Sequence, residues 1–140
     1  MLLLTLDSSV FVAAFRETEE KHVICKKILE GVFSGKFEAI EPYSVLVEVV
    51  AAIKRRTHSM ELAQKIKSIL LSIDTINFEE LISFRSEEAA DLAISTGIRG
   101  MDALIIQTAK ENGSLLVSLD QEMLRLVKGK VSIKNPEDLV

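Results

Sequence analysis

The sequence predicts an α/β fold with three layers, α/β/α, around a central, mostly parallel sheet. Three observations predict it. Short apolar runs of strand length alternate with segments of helical period along all 140 residues. Two of those runs, "LLLTL" at Leu2–Leu6 and "LLVSL" at Leu115–Leu119, are nearly continuous in apolar residues, as strands covered on both faces are. Both runs stop on an aspartate, Asp7 and Asp120. In such sheets ligands bind beyond the carboxyl ends of the strands.

Taken in order, Leu2–Leu6 is the first strand, and Ser9–Arg16 and Glu19–Phe33 carry helical spacing, the second ending near Gly31–Gly35. Phe37–Glu41 reads as a short strand. Pro42 suits the first turn of a helix, where its missing N–H is not needed, and that helix runs to about Arg56. Ser59 can cap a helix over Met60–Leu71, and Asp74–Phe78 is a candidate strand. Ser86 is the expected N-cap of Glu87–Thr96, with Gly97 as its stop. Met101–Asn112 is a helix stopped by Gly113, Leu115–Leu119 a strand, Gln121–Val127 a helix and Val131–Ile133 a final strand. No repeat, low-complexity segment or Pro/Gly-rich linker divides the chain, so residues 1–140 read as one domain.

Composition narrows the function classes. An apolar fraction of 48% with 27% charged residues is globular and not disordered. No apolar stretch reaches the roughly 18 residues of a membrane-spanning helix. "MLLLTL" runs straight into Asp7 without the positive start and cleavage site of a signal peptide, so the expected compartment is the cytoplasm. The single cysteine, Cys25, excludes an internal disulfide and any multi-cysteine metal site. Its setting, "KHVICKKILEGVF", has helical apolar spacing and marks it as a small buried hydrophobe rather than a nucleophile. The net charge of −4 weighs against a generic basic nucleic-acid surface. An acidic cluster that holds metal ions escapes that argument, because the ions reverse the local field.

Two further acids interrupt apolar segments. Glu48 lies in "SVLVEVVAAIK", with Ser44, Val45, Ala51 and Ala52 on its helical face, where a lone carboxylate is costly to bury. Asp102 opens the apolar helix of "IRGMDALIIQTA". Each acid has a plainer explanation: Asp7 and Asp120 as helix caps, Asp102 as a first-turn residue favoured by the helix dipole. Glu48 is the hardest to explain that way. If Asp7, Glu48, Asp102 and Asp120 converge, they cannot all stay ionised without counter-charge. Oxygen-only ligands select Mg²⁺ or Mn²⁺, ions that activate water and stabilise a leaving oxygen in phosphodiester cleavage. The other acids, such as Glu79, Glu80, Glu87 and Glu88, pair in polar contexts and read as solvated faces; His22 and His58 read as a helix surface residue and a loop or cap residue.

"LDSSVFVAAF", "EVVAAIKR" at Glu48 and "RGMDALIIQTAKENGSLLVSLDQEM" resemble a PIN domain, in particular the VapC-like toxin branch of prokaryotic toxin–antitoxin pairs. The resemblance spans essentially the whole chain and is most specific in the C-terminal third. It implies a metal-dependent endoribonuclease in which Asp7, Glu48, Asp102 and Asp120 match the four acids of the family site. By the same match Ser118 takes the place of the Ser/Thr in the family's Thr/Ser-x-Asp element. Ser9 matches the small polar residue two after the first Asp. Thr is commoner than Ser at the place of Ser118, a mild departure because either hydroxyl can donate to a carboxylate. Mg²⁺ or Mn²⁺ is the implied cofactor. A water as nucleophile leaves the RNA 2′-OH out of the reaction and yields 5′-phosphate and 3′-hydroxyl ends.

Substrate contacts are expected from Lys54, Arg55 and Arg56, two helical turns after Glu48, with helix C-terminal charge compensation as the alternative. Arg99 is expected either on a phosphate or paired with a site acid. The resemblance further implies a homodimer and a small VapB-like antitoxin, for which the apolar helical pair Ser9–Phe33 is a candidate groove. Rival enzymes fit poorly. Asp-nucleophile phosphatases need a second Asp where Ser9 stands, and receiver domains need paired acids after the first strand. An RNA-processing PIN nuclease outside a toxin pair and a catalytically silent PIN-fold binding module remain alternatives.

Overall fold

The computed structural model describes residues 2–140. Five strands form one sheet in the order β3-β2-β1-β4-β5, every neighbouring pair parallel. The elements are β1 (Leu2–Leu6), α1 (Ser8–Phe15), α2 (His22–Phe33), β2 (Phe37–Pro42), α3 (Tyr43–Thr57), α4 (Met60–Ser72) and β3 (Ile76–Glu79). They are followed by α5 (Ser83–Thr96), α6 (Gly100–Asn112), β4 (Leu115–Val117), α7 (Gln121–Leu126), β5 (Ile133–Lys134) and α8 (Pro136–Leu139). The expected α/β fold with a parallel central sheet is what the chain adopts.

The chain builds β1, β2 and β3 outward in one direction, then returns across the sheet to place β4 on the other side of β1. That reversal is a topological switch point. It leaves a crevice where the connections leaving β1 and β4 diverge, the place where doubly wound sheets put their ligands. Leu4, Thr5, Leu6, Leu116 and Val117 are all buried, consecutive residues on both faces of these two strands, so helices cover the sheet on each side. α2 packs on β2 and is backed by α8, while α6 packs on β1, β2 and β4. The fit of α2 depends on Gly31, where a Cβ would stand 2.7 Å from the Phe37 ring. Cys25 is buried in this core, and burial pushes its thiol up to about 11, the inert hydrophobe expected.

Most boundaries follow local chemistry. Gly97 and Gly113 cap α5 and α6 in the left-handed region, and Ser59 accepts the Leu62 amide as the N-cap of α4. Three expectations need correction. Ser86 is not an N-cap: α5 begins at Ser83, and the Ser86 hydroxyl donates back to the Ile82 carbonyl inside the helix. Residues 17–21 are a turn rather than the start of α2, and Arg16 pairs with Glu19 across it at 3.0 Å. The apolar residues of Ser9–Phe33 are mostly core, with Val10, Phe11, Ile28 and Val32 buried, so that pair offers no open groove. An open apolar groove of about 430 Å³ lies instead between α3 and α4, lined by Leu46, Val50, Met60 and Ala63.

Candidate active site

The site grows from the ends of β1 and β4. The Asp7 amide donates to the Val117 carbonyl at 2.9 Å, extending the ladder by one residue. Asp7 occupies the N-cap position of α1 with extended backbone, yet its side chain makes no capping bond. Its Oδ2 instead accepts the Ser9 hydroxyl at 2.6 Å and the Ser118 hydroxyl at 3.0 Å. Ser118 is fully buried and also accepts the Asp120 amide at 3.0 Å. One hydroxyl thus ties the two aspartates together, which gives the Ser-x-Asp spacing a physical reason.

Asp120 divides its oxygens between two tasks. Oδ1 caps α7, accepting the Glu122 and Met123 amides at 2.9 and 3.3 Å. Oδ2 faces the Arg99 guanidinium at 3.5 Å. Asp102, in the first turn of α6, faces the same guanidinium at 3.4 Å. The plain capping explanation therefore holds for Asp120 and fails for Asp7. The Arg99 side chain is 79% exposed, so its long contacts to the two acids are screened by water and weak.

Glu48 reaches the cluster from the middle of α3 and is half-buried, with its Oε1 sealed from solvent and without a hydrogen-bond partner. Burial raises its carboxyl above the usual range, and the charges of Asp7 and Asp102 add to that. Asp102 is raised in the same way, first by burial and then by Asp7, with Arg99 pulling it back. These mutual effects place Asp7, Glu48 and Asp102 within electrostatic reach of one another, and Arg99 links Asp102 to Asp120. Among the described residues no three Asp, Glu, His or Cys side chains close into a ready-made ligand cage. Glu48 lines one cleft and Asp102 with Asp120 another, and Asp7 is joined to Asp120 through the Ser118 hydroxyl.

The cations sort themselves by helix face. Arg55 and Arg56 line a cleft of about 380 Å³ together with Ser9, Glu48 and Leu119. Arg56 is also held by Glu19 at 2.9 Å. Lys54 lines the apolar groove against α4 instead, away from Glu48. One buried acid was not expected from the sequence. Glu41, the penultimate residue of β2, is fully buried with its Oε2 on the Leu6 amide at 2.7 Å. Strand alternation carried the signal, because Glu41 is in phase with the buried Phe37 and Ala39.

Solved structures share this arrangement of elements. The VapC20 toxin of Mycobacterium tuberculosis, described as cleaving the sarcin-ricin loop, superposes with a TM-score of 0.72 at 16% identity, covering 87% of this chain and 93% of that one. A toxin–antitoxin complex from Klebsiella pneumoniae gives 0.69 at 16% identity, covering 95% and 97%. VapBC2 of Rickettsia felis, bound to a promoter DNA fragment, gives 0.67 at 14% identity, covering 96% and 98%. At these identities the likeness establishes the fold alone. No curated protein sequence matches the chain significantly. The PIN domain family model matches residues 4–129, almost the full length of the chain, and the chain therefore belongs to the PIN domain family.

Proposed function

We propose that this protein is a divalent-metal-dependent endoribonuclease, the toxin of a VapBC-type pair, working through Asp7, Glu48, Asp102 and Asp120. The observation that supports the reading is that Asp7 and Asp120 follow adjacent strands and share the Ser118 hydroxyl, while the charges of Asp7 and Asp102 act on Glu48. The donor set fits the proposed ion. It is all oxygen, it holds an unpartnered buried Glu48 oxygen, and burial together with the charges of neighbouring acids raises the proton affinity of Glu48 and Asp102, a penalty that a hard cation such as Mg²⁺ or Mn²⁺ relieves. When bound there, the ion would lower the pKa of a water and neutralise charge on the reacting phosphate.

The chain's own residues supply the rest. Ser9 and Ser118 hold Asp7 in one orientation through its Oδ2. Glu48 lines the cleft and is the carboxylate that would orient the attacking water and receive its proton once the ion and substrate open the crevice. Arg55 and Arg56 line that cleft and suit an RNA phosphate on its way to the crevice. The water oxygen bonds to phosphorus as the P–O3′ bond breaks, leaving a 5′-phosphate, and O3′ takes up a proton to become hydroxyl.

The toxin reading is supported by likeness to VapC and VapBC structures, and the proposal carries with it a VapB-like antitoxin and a homodimer. Among the described residues no helix is long and apolar enough to cross a membrane. A silent PIN-fold binding module is the competing reading, favoured by Arg99 standing between Asp102 and Asp120 and by the lack, among the described residues, of three acids closed into a ligand group. Incubating the purified chain with RNA and Mn²⁺ separates them. Cleavage that Asp102→Asn removes supports the nuclease; cleavage undiminished in that variant refutes the assignment.

A further inference from the structure

Glu41 stands outside the four-acid set, yet it is the most deeply buried carboxyl in the cluster's neighbourhood. Its Oε2 accepts the Leu6 amide, while its Oε1 is sealed from solvent with no partner. Side chains with such a burial cost persist where they hold something in place.

The strand pairing shows what is held. β1 and β2 pair from Leu2 with Phe37 to Leu4 with Ala39, and there the ladder between them ends. β2 continues against β3, through Glu41 with Phe78 and Pro42 with Glu79. Past Leu4, side chains take over the link between β1 and β2. The Thr5 hydroxyl donates to the Ile40 carbonyl at 2.9 Å, and Glu41 takes the Leu6 amide at 2.7 Å. On its other edge β1 stays paired to β4 through Leu6 with Val117. The last residue of β1 is therefore gripped by backbone on one side and by Glu41 on the other, and the next residue is Asp7.

We propose that Glu41 is a positioning residue of this site: its side chain replaces the missing ladder between β1 and β2 and fixes the backbone that carries Asp7. The proposal rests on the reading of the Asp7 cluster as a cation site, although the grip on β1 can be measured without it. Glu41 does this through an accepting oxygen, a role that needs no charge. Burial pushes its carboxyl well above the usual range, the Asp7 charge pushes the same way, and the Leu6 amide opposes both. These effects favour the protonated form, which adds no further negative charge beside Asp7. It follows that an amide oxygen at this position would serve as well, and an apolar side chain of similar size would not.

The test compares Glu41→Gln with Glu41→Met in the full chain, each checked for folding by circular dichroism. Amide hydrogen exchange at Leu6 and Asp7 is read by NMR in metal-free protein, and Mn²⁺ affinity by titration. Glu41→Gln is expected to keep both properties and an unchanged pH profile of Mn²⁺ binding. Glu41→Met is expected to bind Mn²⁺ at least about 10-fold more weakly, the usual effect of losing an outer support of a metal site, with Leu6 exchanging at least about 10-fold faster. Glu41→Met matching wild type in both readouts overturns the proposal. So does a Glu41→Gln variant that loses affinity or shifts the pH profile, because the charge rather than the hydrogen bond would then matter; this arm decides even if Glu41→Met does not fold. Wild-type protein that binds no Mn²⁺ sinks the cation reading instead, and exchange at Leu6 still decides whether Glu41 holds β1.

Discussion

Two groups of acids sit near the carboxyl ends of strands in this molecule, and they are built in opposite ways. At the end of β3, Arg85 pairs with Glu79 at 3.2 Å and with Glu111 at 3.0 Å, and donates to the Glu80 carbonyl at 2.8 Å. Asn112 donates to the remaining Glu79 oxygen at 3.0 Å. That guanidinium is only 22% exposed, so it is anchored where it stands. At the ends of β1 and β4, Asp7 receives only two serine hydroxyls, Glu48 has an oxygen with no partner, and the cation paired with Asp102 and Asp120 is the exposed Arg99. Acids that the chain neutralises for itself are scaffold. Acids that it gathers and leaves under-compensated are suited to an external cation and to chemistry.

The strongest way to break this contrast is catalytic. Asp7→Asn or Asp102→Asn should lower single-turnover RNA cleavage by at least about 100-fold while leaving the circular dichroism spectrum unchanged. Arg85→Ala should leave cleavage within about a factor of two, the range expected when nothing made only in the transition state is lost. Equal losses at the two clusters would erase the distinction.

Next in size is the response to metal. Mn²⁺ at about 100 times its Kd should stabilise the wild type by about 2.7 kcal/mol in thermal unfolding. Asp120→Asn should remove most of that increment. Asparagine caps a helix about as well as aspartate, so this variant isolates the charge from the cap on α7. Arg85→Ala should keep the increment. It should instead lower the stability of the metal-free protein by about 1–2 kcal/mol in urea unfolding, since two largely shielded carboxylates lose their partner.

The smallest effect is the dependence on pH without metal. Glu48 and Asp102 both bind protons more tightly in the folded chain than in the unfolded one. The folded form therefore gains stability as pH falls into the ordinary carboxylate range and loses it as pH rises through their raised values. Glu48→Gln should accordingly raise the melting temperature of metal-free protein at neutral pH and flatten this dependence. A lower melting temperature at neutral pH would show that Glu48 is compensated after all.

Much of this was legible in the residues. The nearly continuous apolar runs of β1 and β4 identified central strands, and each delivered its aspartate at the carboxyl end. Glu48 stood out because an acid interrupts an apolar helical face. What stayed hidden depended on contacts between distant segments. Ser86 resembles a cap in sequence, but α5 begins a turn earlier, where Ile82 leads into the helix without a capping side chain. Lys54, Arg55 and Arg56 are equivalent as a charge run, and only the packing of α3 against α4 turns Lys54 from the cleft that Arg55 and Arg56 line. Glu79 and Glu80 read as solvated acids, yet Arg85 from α5 draws Glu79 into a shared network with Glu111 of α6.

The sequence by itself determined the α/β alternation and the parallel sheet and singled out four acids that interrupt or end apolar segments, because periodicity and burial preference act over a few residues at a time. Only the tertiary structure decided the strand order, and with it the crevice between β1 and β4. It also decided that Asp120 caps a helix while Asp7 does not, and that Glu41 is turned inward to hold the end of β1. The placing of Glu41 and of the Asp7 side chain rests on hydrogen bonds between residues 35 and 111 positions apart. No local preference encodes such a bond; it exists only once the sheet has brought its two ends together.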